Sequence, residues 1–255
     1  MRFRTSRRTI GIVLGIASLI LVSISLDTAT TQDKPIYKPT GSEGTIVGTI
    51  SFVGTSPKPL RIDTSADPIC ETVNPNQTSD WVVVTNQKLT NVVVYVRSEW
   101  LNVYSFDDPS PEVTLEHRGC RYVPHVLGVQ TQQTLKIFNS DPTTQNTHAM
   151  PKNNPDWNQS QPPGAAALEL RFAKPELFVP MKDNQHPWEK AYVGVFSHPF
   201  FSVSGTDGSY RISGLPPGQY TVVAWHEKLG EQTVDVFLAS SEQKNLDFAF
   251  KASDH

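Results

Sequence analysis

Residues 91–96 read Asn-Val-Val-Val-Tyr-Val, and residues 45–53 read Thr-Ile-Val-Gly-Thr-Ile-Ser-Phe-Val. The first stretch is a continuous run of β-branched and aromatic residues, whereas the second has period two until Gly54 and Pro57 interrupt it. Both patterns are typical of strands that enclose a two-sheet core, and further turn-bounded short strands follow along the chain. No stretch of the sequence has the periodicity of an amphipathic helix. The sequence therefore predicts an all-β protein.

The composition and charge exclude several classes of function. The chain has 255 residues, of which 18% are charged, and its net charge is -3. Because no basic stripe is present to contact phosphates, we expect no nucleic-acid partner. No nucleophile elbow or glycine-rich phosphate loop is present either, so we expect no enzymatic activity.

The N-terminal residues have the character of an export segment. Residues 1–8 contain four arginines and no acidic residue, and an apolar run follows within residues 9–26. This pattern predicts that residues 1–26 are a signal peptide or an uncleaved anchor that contacts the membrane through residues 9–26. We expect an exported protein, periplasmic or at the cell envelope, with residues 27–43 as a flexible linker.

The sequence contains two cysteines, Cys70 and Cys120. In an exported chain an even pair predicts a disulfide, because compartments outside the cytoplasm are oxidising. Metal ligation by these residues and a pair of free thiols are the alternatives.

A long polar stretch, rich in Asn, Gln and Pro, occupies residues 142–164. It lacks the apolar alternation of a strand, so we expect a loop. Loops of this length without secondary structure of their own are often functional.

Several short motifs follow one another in a characteristic order between residues 44 and 240. They are Gly44-Thr45-Ile46-Val47-Gly48, Leu89-Thr90-Asn91-Val92-Val93-Val94-Tyr95, Gly119-Cys120-Arg121-Tyr122-Val123-Pro124-His125, Asn139-Ser140-Asp141-Pro142, Gln145-Asn146-Thr147-His148, His186-Pro187-Trp188 and Gly214-Leu215-Pro216-Pro217-Gly218. In this order they resemble bacterial exported cupredoxin-like proteins with a carboxypeptidase regulatory-like (transthyretin-like) segment. Some members of that family are labelled methylamine utilization proteins.

The resemblance implies two β-sandwich parts. A cupredoxin-like Greek-key sandwich is expected over residues 80–200, and a small carboxypeptidase regulatory-like module over residues 201–250. Residues 44–79 are expected to provide a first strand and lead-in. Two arrangements are open: the cupredoxin-like part is joined end to end with the C-terminal module, or residues 44–79 belong to that module and the cupredoxin-like part is an insertion in it. Residues 251–255 are a tail.

The resemblance also implies where a blue-copper site would lie. His186 matches a copper-binding histidine, whereas Gln145, Asp183 and Glu189 stand where the family has the other histidine, the cysteine and the methionine. His148 matches a further family histidine that is not carried over as a ligand. Blue copper requires a thiolate, so we expect a degenerate site that carries no copper electron transfer. The alternative is a Cu(II) or Zn(II) site formed by His186 with Asp183 and Glu189, with Gln145 and His148 nearby.

These expectations lead to three candidate functions. The first is an exported, non-catalytic protein with a structural or binding role at the cell envelope, without a cofactor, whose partner is an envelope protein or a glycan. The second is the Cu(II)- or Zn(II)-binding protein. The third, a blue-copper electron carrier, is disfavoured by the replaced ligands.

Overall fold

The computed structural model describes residues 1, 34–107 and 111–252, so the predicted export segment lies outside the described residues apart from its first residue. The regular elements are helix α1 (Pro68–Val73), one short 3₁₀ helix (Glu99–Val103) and strands, which confirms the all-β expectation. The strands are β1 (Gly44–Val53), β2 (Val84–Thr85), β3 (Lys88–Leu89), β4 (Val93–Arg97), β5 (Val113–His117), β6 (Tyr122–Val123), β7 (Val126–Gln130), β8 (Leu135–Asn139), β9 (Gln145–Ala149), β10 (Trp157–Gln161), β11 (Leu168–Leu170), β12 (Glu176–Lys182), β13 (Lys190–Phe196), β14 (Phe201–Val203), β15 (Ser209–Leu215), β16 (Gly218–His226), β17 (Gly230–Leu238), β18 (Gln243–Asn245) and β19 (Phe248–Lys251). No helix within the described ranges is long and apolar enough to cross a membrane.

The first sandwich is formed by β5 to β13. Its five-stranded sheet has the order β10-β9-β12-β13-β7, and its four-stranded sheet has the order β11-β8-β5-β6. Both sheets are mixed, because β13 runs parallel to β7 and β5 runs parallel to β8. Side chains that alternate along the strands fill the space between the sheets, among them the fully buried Leu115, Ile137 and Val193. This arrangement agrees with the predicted cupredoxin-like sandwich.

The second sandwich is formed by β1 to β4 and β14 to β19. One sheet has the order β15-β1-β3-β2, with β18 and β19 also paired to β1, and the other has the order β14-β4-β16-β17. The period-two pattern of β1 arises because Ile46, Ile50 and Phe52 point into the core. Gly48 is required in this strand, because a Cβ atom there would lie 1.7 Å from the carbonyl oxygen of Leu246.

The chain leaves the second sandwich after β4, builds the first sandwich and returns at β14. These two strands are antiparallel neighbours, with Val93 opposite Val203 and Tyr95 opposite Phe201. Strand β4 falls inside the 80–200 range expected for the cupredoxin-like part, yet its partners are β14 and β16 of the other sandwich. The apolar run of residues 92–96 is uninterrupted because both faces of β4 are buried. One face belongs to the core of the second sandwich, and the other packs at the contact between the two sandwiches.

The contact between the sandwiches is an apolar cluster of its own. Val93, Tyr95 and Val223 from the second sandwich pack against Val126 and Phe196 from the first, and all five are buried. Burial of this kind couples the two sandwiches energetically.

Residues 34–43, the described part of the linker that was expected to be flexible, lie against the body of the protein. The backbone N–H of Tyr37 donates to the carbonyl of Ser105 at 2.8 Å, and its ring packs against Tyr104 and Phe106. Its hydroxyl donates to Glu43 at 2.7 Å. The described part of the predicted linker is therefore in contact with the folded body through Tyr37.

The polar stretch over residues 142–164 forms a β-hairpin rather than the expected loop. Strands β9 and β10 pair antiparallel over five residues each. Their side chains are polar because β10 is an edge strand and because inward-facing residues of β9 surround a buried polar cluster. Apolar alternation could not reveal such strands.

Two buried histidines predict a loss of stability in acid. His198 lies among the rings of Phe106, Phe196 and Phe200, and His226 is almost fully buried. Burial lowers the pKa of each to about 4. Since the unfolded chain takes up these protons first, stability should fall as pH drops from about 6.5 to 4, by about 3 kcal/mol for each histidine.

Urea denaturation across this pH range measures that loss. In the variant His198→Asn the replacement side chain keeps an acceptor for the backbone N–H of Phe200 but does not titrate. In this pH range, the slope of the free energy of unfolding against pH should be smaller in the variant than in the wild-type protein, by about 1.4 kcal/mol per pH unit. Parallel pH profiles would contradict the assignment.

Candidate functional site

The loop between β12 and β13 is organised by the side chain of Asp183. One carboxylate oxygen accepts the backbone N–H groups of Gln185 and His186 at 2.6 and 2.7 Å, and the other accepts the N–H of Asn146 at 2.6 Å. Aspartate favours such turns because its short side chain reaches backbone groups two or three residues ahead. Asp183 thus fixes the loop that carries His186 and joins it to β9.

His186 lies at the centre of a ring of carboxylates. Its Nε2 pairs with Oδ2 of Asp67 at 3.0 Å. Its Nδ1 faces Oδ2 of Asp183 at 3.4 Å and Oε1 of Glu189 at 3.7 Å. The ring is 3% exposed. If Nε2 carries the hydrogen donated to Asp67, Nδ1 is the nitrogen that remains to bind a proton or a metal cation.

Glu189 connects this group to β5 and β9. Its Oε2 pairs with Nδ1 of His117 at 2.8 Å, and Nε2 of His117 pairs with the hydroxyl of Thr147 at 2.9 Å. His117, Asp183 and Glu189 each offer an atom within 4.8 Å of the others, but both ring nitrogens of His117 are already hydrogen-bonded, so His117 has no nitrogen left for a metal ion.

Gln145 reaches the same cluster from the start of β9. Its Nε2 donates to Asp141 at 2.9 Å, and this contact directs Oε1 away from Asp141. Asp141 also accepts the backbone N–H groups of Gly119 and Cys120 at 2.6 and 2.9 Å. The orientation of the Gln145 amide is therefore set by a carboxylate that is itself held in place.

The ionisation of the cluster follows from burial and from the neighbouring charges. Burial alone lowers the pKa of His186, but hydrogen bonds to Asp183 and Asp67 outweigh it and raise the pKa to about 9. Burial, reinforced by the charge of Asp183, raises the pKa of Glu189 well above its usual value. Burial lowers the pKa of His117 to about 4. Hydrogen bonds keep the pKa of Asp183 low despite its burial, so its carboxylate is ionised.

Three buried atoms of this cluster lack a hydrogen-bond partner. They are Oε1 of Gln145, Nδ1 of His186 and Oε1 of Glu189. Buried polar groups are nearly always paired, and an exception commonly marks a water or an ion. The three residues occupy positions where the family resemblance implies copper ligands, and Asp183 occupies the fourth.

A separate segment, residues 60–79, covers the outer side of His186. We call it the strap. Helix α1 lies in the strap and begins after Asp67, whose Oδ1 accepts the N–H groups of Ile69 and Cys70. Oδ2 of Asp67 faces inward, where it accepts the hydroxyl of Thr143 at 2.8 Å and pairs with His186.

The predicted disulfide joins the strap to the first sandwich. Cys70 and Cys120 are bonded, and both are fully buried. Neither residue of the pair is a thiolate, because their sulfur atoms are bonded to each other, and the sequence has no other cysteine. Sγ of Cys120 lies 3.8 Å from Nε2 of Gln145, so the disulfide borders the polar cluster.

His148 lies away from the cluster. Along β9, Gln145 and Thr147 face inward, and His148 has the opposite orientation. It pairs with the exposed Asp156 at 3.0 Å and contacts Asn184. His148 therefore does not face the polar cluster around His186, although the sequence analysis placed it near the metal site.

The structure brings together four of the five residues proposed from the sequence: Gln145, Asp183, His186 and Glu189. It adds residues that the sequence analysis did not select. They are Asp67, His117, Asp141 and Thr147. Of these, only Asp141 had a sequence signal, since it belongs to the Asn-Ser-Asp-Pro motif.

Comparisons with known proteins support a composite β protein. Residues 182–251 match the carboxypeptidase regulatory-like domain family. This match begins at the end of β12 and includes β13, which pairs within the first sandwich. No curated protein sequence matches the chain.

Solved copper proteins show partial structural likeness. A Cu-containing nitrite reductase (NirK) from Thermus scotoductus SA-01 has a TM-score of 0.32 at 17% identity over 35% of this chain, which spans only 23% of the reductase. A purple cupredoxin from Nitrosopumilus maritimus has a TM-score of 0.29 at 17% identity, with 33% of this chain and 99% of the cupredoxin covered. An amicyanin variant in the Cu(I) form has a TM-score of 0.30 at 17% identity, with 40% and 97% covered. The likeness at these scores carries no functional argument. The class that the findings establish is an all-β protein in which residues 182–251 are similar to the carboxypeptidase regulatory-like domain family.

Proposed function

We propose that the protein is a non-catalytic binding protein of the cell envelope that holds a divalent cation, Zn(II) or Cu(II), in the polar cluster around His186. The observation that carries the proposal is the set of three buried atoms without partners on Gln145, His186 and Glu189. The sequence favoured an inert, degenerate site. The unpartnered atoms instead favour the alternative, a cation site.

The charge of the cluster supports a cation. Asp183 is ionised, and Asp67 also has a lowered pKa despite partial burial, because hydrogen bonds from His186 and Thr143 stabilise its carboxylate. Without a bound metal, the positive charge that these carboxylates face is that of His186, whose pKa is raised to about 9. A divalent cation would displace the proton from Nδ1 of His186 and supply that charge instead. An imidazole nitrogen with carboxylate and amide oxygens is a donor set that Zn(II) and Cu(II) accept.

A blue-copper centre does not fit these residues. Such a centre needs a thiolate, and both cysteines of the chain are in the disulfide. An aspartate stands at the cysteine position, and its oxygens accept three backbone N–H groups. We therefore propose a cation with a structural or binding role and no electron transfer.

The proposed ligands are Nδ1 of His186, Oε1 of Glu189 and Oε1 of Gln145, with Oδ2 of Asp183 at the edge of the group. They come from β9 and from the loop between β12 and β13. A cation at this point would crosslink two segments of the first sandwich and stabilise them in proportion to its affinity.

The rest of the proposal concerns compartment and partner. Export, and anchoring through residues 9–26, rest on the arginine-rich start and apolar run of the sequence. The proposal of a partner among envelope proteins or glycans rests on fold-level analogy with the matched carboxypeptidase regulatory-like family. Cell fractionation of the full-length chain and of a variant without residues 1–26 tests export, because only the former should leave the cytoplasm.

Metal binding is tested by elemental analysis of protein purified from its own compartment and by titration of chelator-treated protein with Zn(II) and Cu(II) separately. We expect one equivalent of one of these cations. His186→Ala should lower its affinity by at least about 100-fold, because it removes the only nitrogen ligand.

His148→Ala is the matched control, since it removes a histidine of β9 that pairs with the exposed Asp156 instead of facing the cluster. Its affinity should equal that of the wild-type protein. The proposal fails if neither cation binds, or if His186→Ala binds as tightly as His148→Ala. A strong visible absorption with Cu(II), typical of a copper–thiolate bond, would contradict the non-redox assignment.

A further inference from the structure

We infer that Asp67 is a positioning residue for the cation at His186, and that the Cys70–Cys120 disulfide controls cation affinity by holding Asp67 in place. This inference rests on the proposed cation site. It extends that site to a residue 119 positions away in sequence from its only imidazole ligand.

The contact between Asp67 and His186 determines which nitrogen faces the cluster. Oδ2 of Asp67 lies 3.0 Å from Nε2 of His186. A carboxylate that accepts the outer N–H of a ligating histidine fixes its tautomer, orients the ring and makes the inner nitrogen a better donor. Here the inner nitrogen is Nδ1, one of the three buried atoms without a partner.

The strap that carries Asp67 has little apolar packing to hold it. Its residues are absent from the three apolar clusters of the described protein. Leu60, Ile69 and Val73 are instead exposed to solvent. Within the strap, backbone hydrogen bonds join Ile62 to Gln77 and Ser79 to Leu60 and shape it as a closed loop.

Polar contacts and one covalent bond hold the strap to the first sandwich. The side chains of Asn74 and Gln77 donate to the carbonyls of Gly119 and Cys120, both at 3.0 Å. The Cys70–Cys120 disulfide lies between these contacts and Asp67 in the sequence. Because net contributions of single hydrogen bonds are about 1 kcal/mol, the disulfide is the strongest restraint on Asp67.

Reduction would therefore loosen the strap. A dithiol reductant supplies two electrons and two protons, leaves Cys70 and Cys120 as thiols, and itself becomes a disulfide. The strap would then keep only its hydrogen bonds, and Asp67 would no longer be held against His186. The oxidation state of the disulfide is thereby coupled to the affinity for Zn(II) or Cu(II).

The experiment compares oxidised variants of the full chain by competition with a chromophoric chelator for Zn(II). Asp67→Ala should lower the affinity about 10- to 100-fold. Asp67→Asn should recover only part of this loss, because its single amide oxygen can accept the N–H of His186 or cap α1 but not both. Asp63→Ala, which changes another strap aspartate that bonds only within the strap, should leave the affinity unchanged.

The role of the disulfide is tested with the double variant Cys70→Ala, Cys120→Ala, which avoids reductants that bind metals. We expect it to bind as weakly as Asp67→Ala, and addition of Asp67→Ala to it should cause no further loss. Co(II) provides a spectroscopic readout. Its visible ligand-field spectrum should change equally in both variants while far-ultraviolet circular dichroism stays that of a β protein.

Several results would overturn the inference. Wild-type affinity in Asp67→Ala would show that the contact does not position His186, and this result stands even if the cysteine variant fails to fold. Tighter binding with a thiolate-to-Co(II) band in reduced wild-type protein would show that the cysteines act as ligands instead. Absence of cation binding in oxidised wild-type protein would remove the proposed function together with this inference.

Discussion

Replacing Asp183 with alanine is expected to lower the free energy of unfolding by about 4 kcal/mol. The carboxylate is buried and accepts N–H groups from Asn146, Gln185 and His186. Removing it leaves three buried donors without an acceptor, and each costs about 1–3 kcal/mol. The loss should be visible in urea denaturation with a chelator present, so that cation binding does not contribute.

A conservative variant and a control variant test this prediction further. Asp183→Asn keeps one carbonyl oxygen and should lose less stability, about 1–2 kcal/mol. Asp156→Ala removes a side chain that is 68% exposed and pairs with His148, and its stability should change by less than about 1 kcal/mol. A loss below about 1 kcal/mol for Asp183→Ala would mean that the loop is held by other contacts.

Loss of the disulfide is expected to have an effect of similar size. The bond joins residues 50 positions apart, and closing a loop of that length in the unfolded chain corresponds to about 4 kcal/mol. The variant Cys70→Ala, Cys120→Ala should lose this amount in chelator-treated protein. Alanine avoids placing a new polar group at two fully buried positions.

When the cysteine variant is compared with the wild-type protein, unfolding of the whole chain must be distinguished from local release of the strap. If the strap is freed before the sandwiches unfold, proteolysis should cut the variant within residues 60–79 under conditions in which the wild-type protein stays intact. A stability loss below about 1 kcal/mol, with no new cleavage in the strap, would contradict the view that the disulfide is its main restraint.

The strands of the two cores could be predicted from the sequence where burial imposes a pattern. The alternation of β1 and the continuous run of β4 follow from which faces are buried. Strands β9 and β10 could not be found in this way. The inward-facing residues of β9, Gln145 and Thr147, surround a polar cluster instead of an apolar core.

The candidate site was predictable only in part. Asp183, His186 and Glu189 lie in one short motif, so a family resemblance could select them together. Asp67 and His117 reach the cluster from distant parts of the chain, and the sequence carried no mark of either. His148 was selected because it matches a further histidine of the family, but the period of two along β9 places it on the face opposite to Gln145.

The adjacency of β4 and β14 has a consequence for the tolerance of this protein to changes in its sequence. The chain leaves the second sandwich at β4 and returns to it at β14, and these two strands are hydrogen-bonded neighbours. For the second sandwich, here called the host, the roughly one hundred residues in between are a single long connection. Such a connection can be lengthened, shortened or rewritten without changing the register of any host strand. Polar residues of the cluster, such as Gln145, Asp183 and Glu189, could therefore be exchanged within it while the host sandwich retained its own fold.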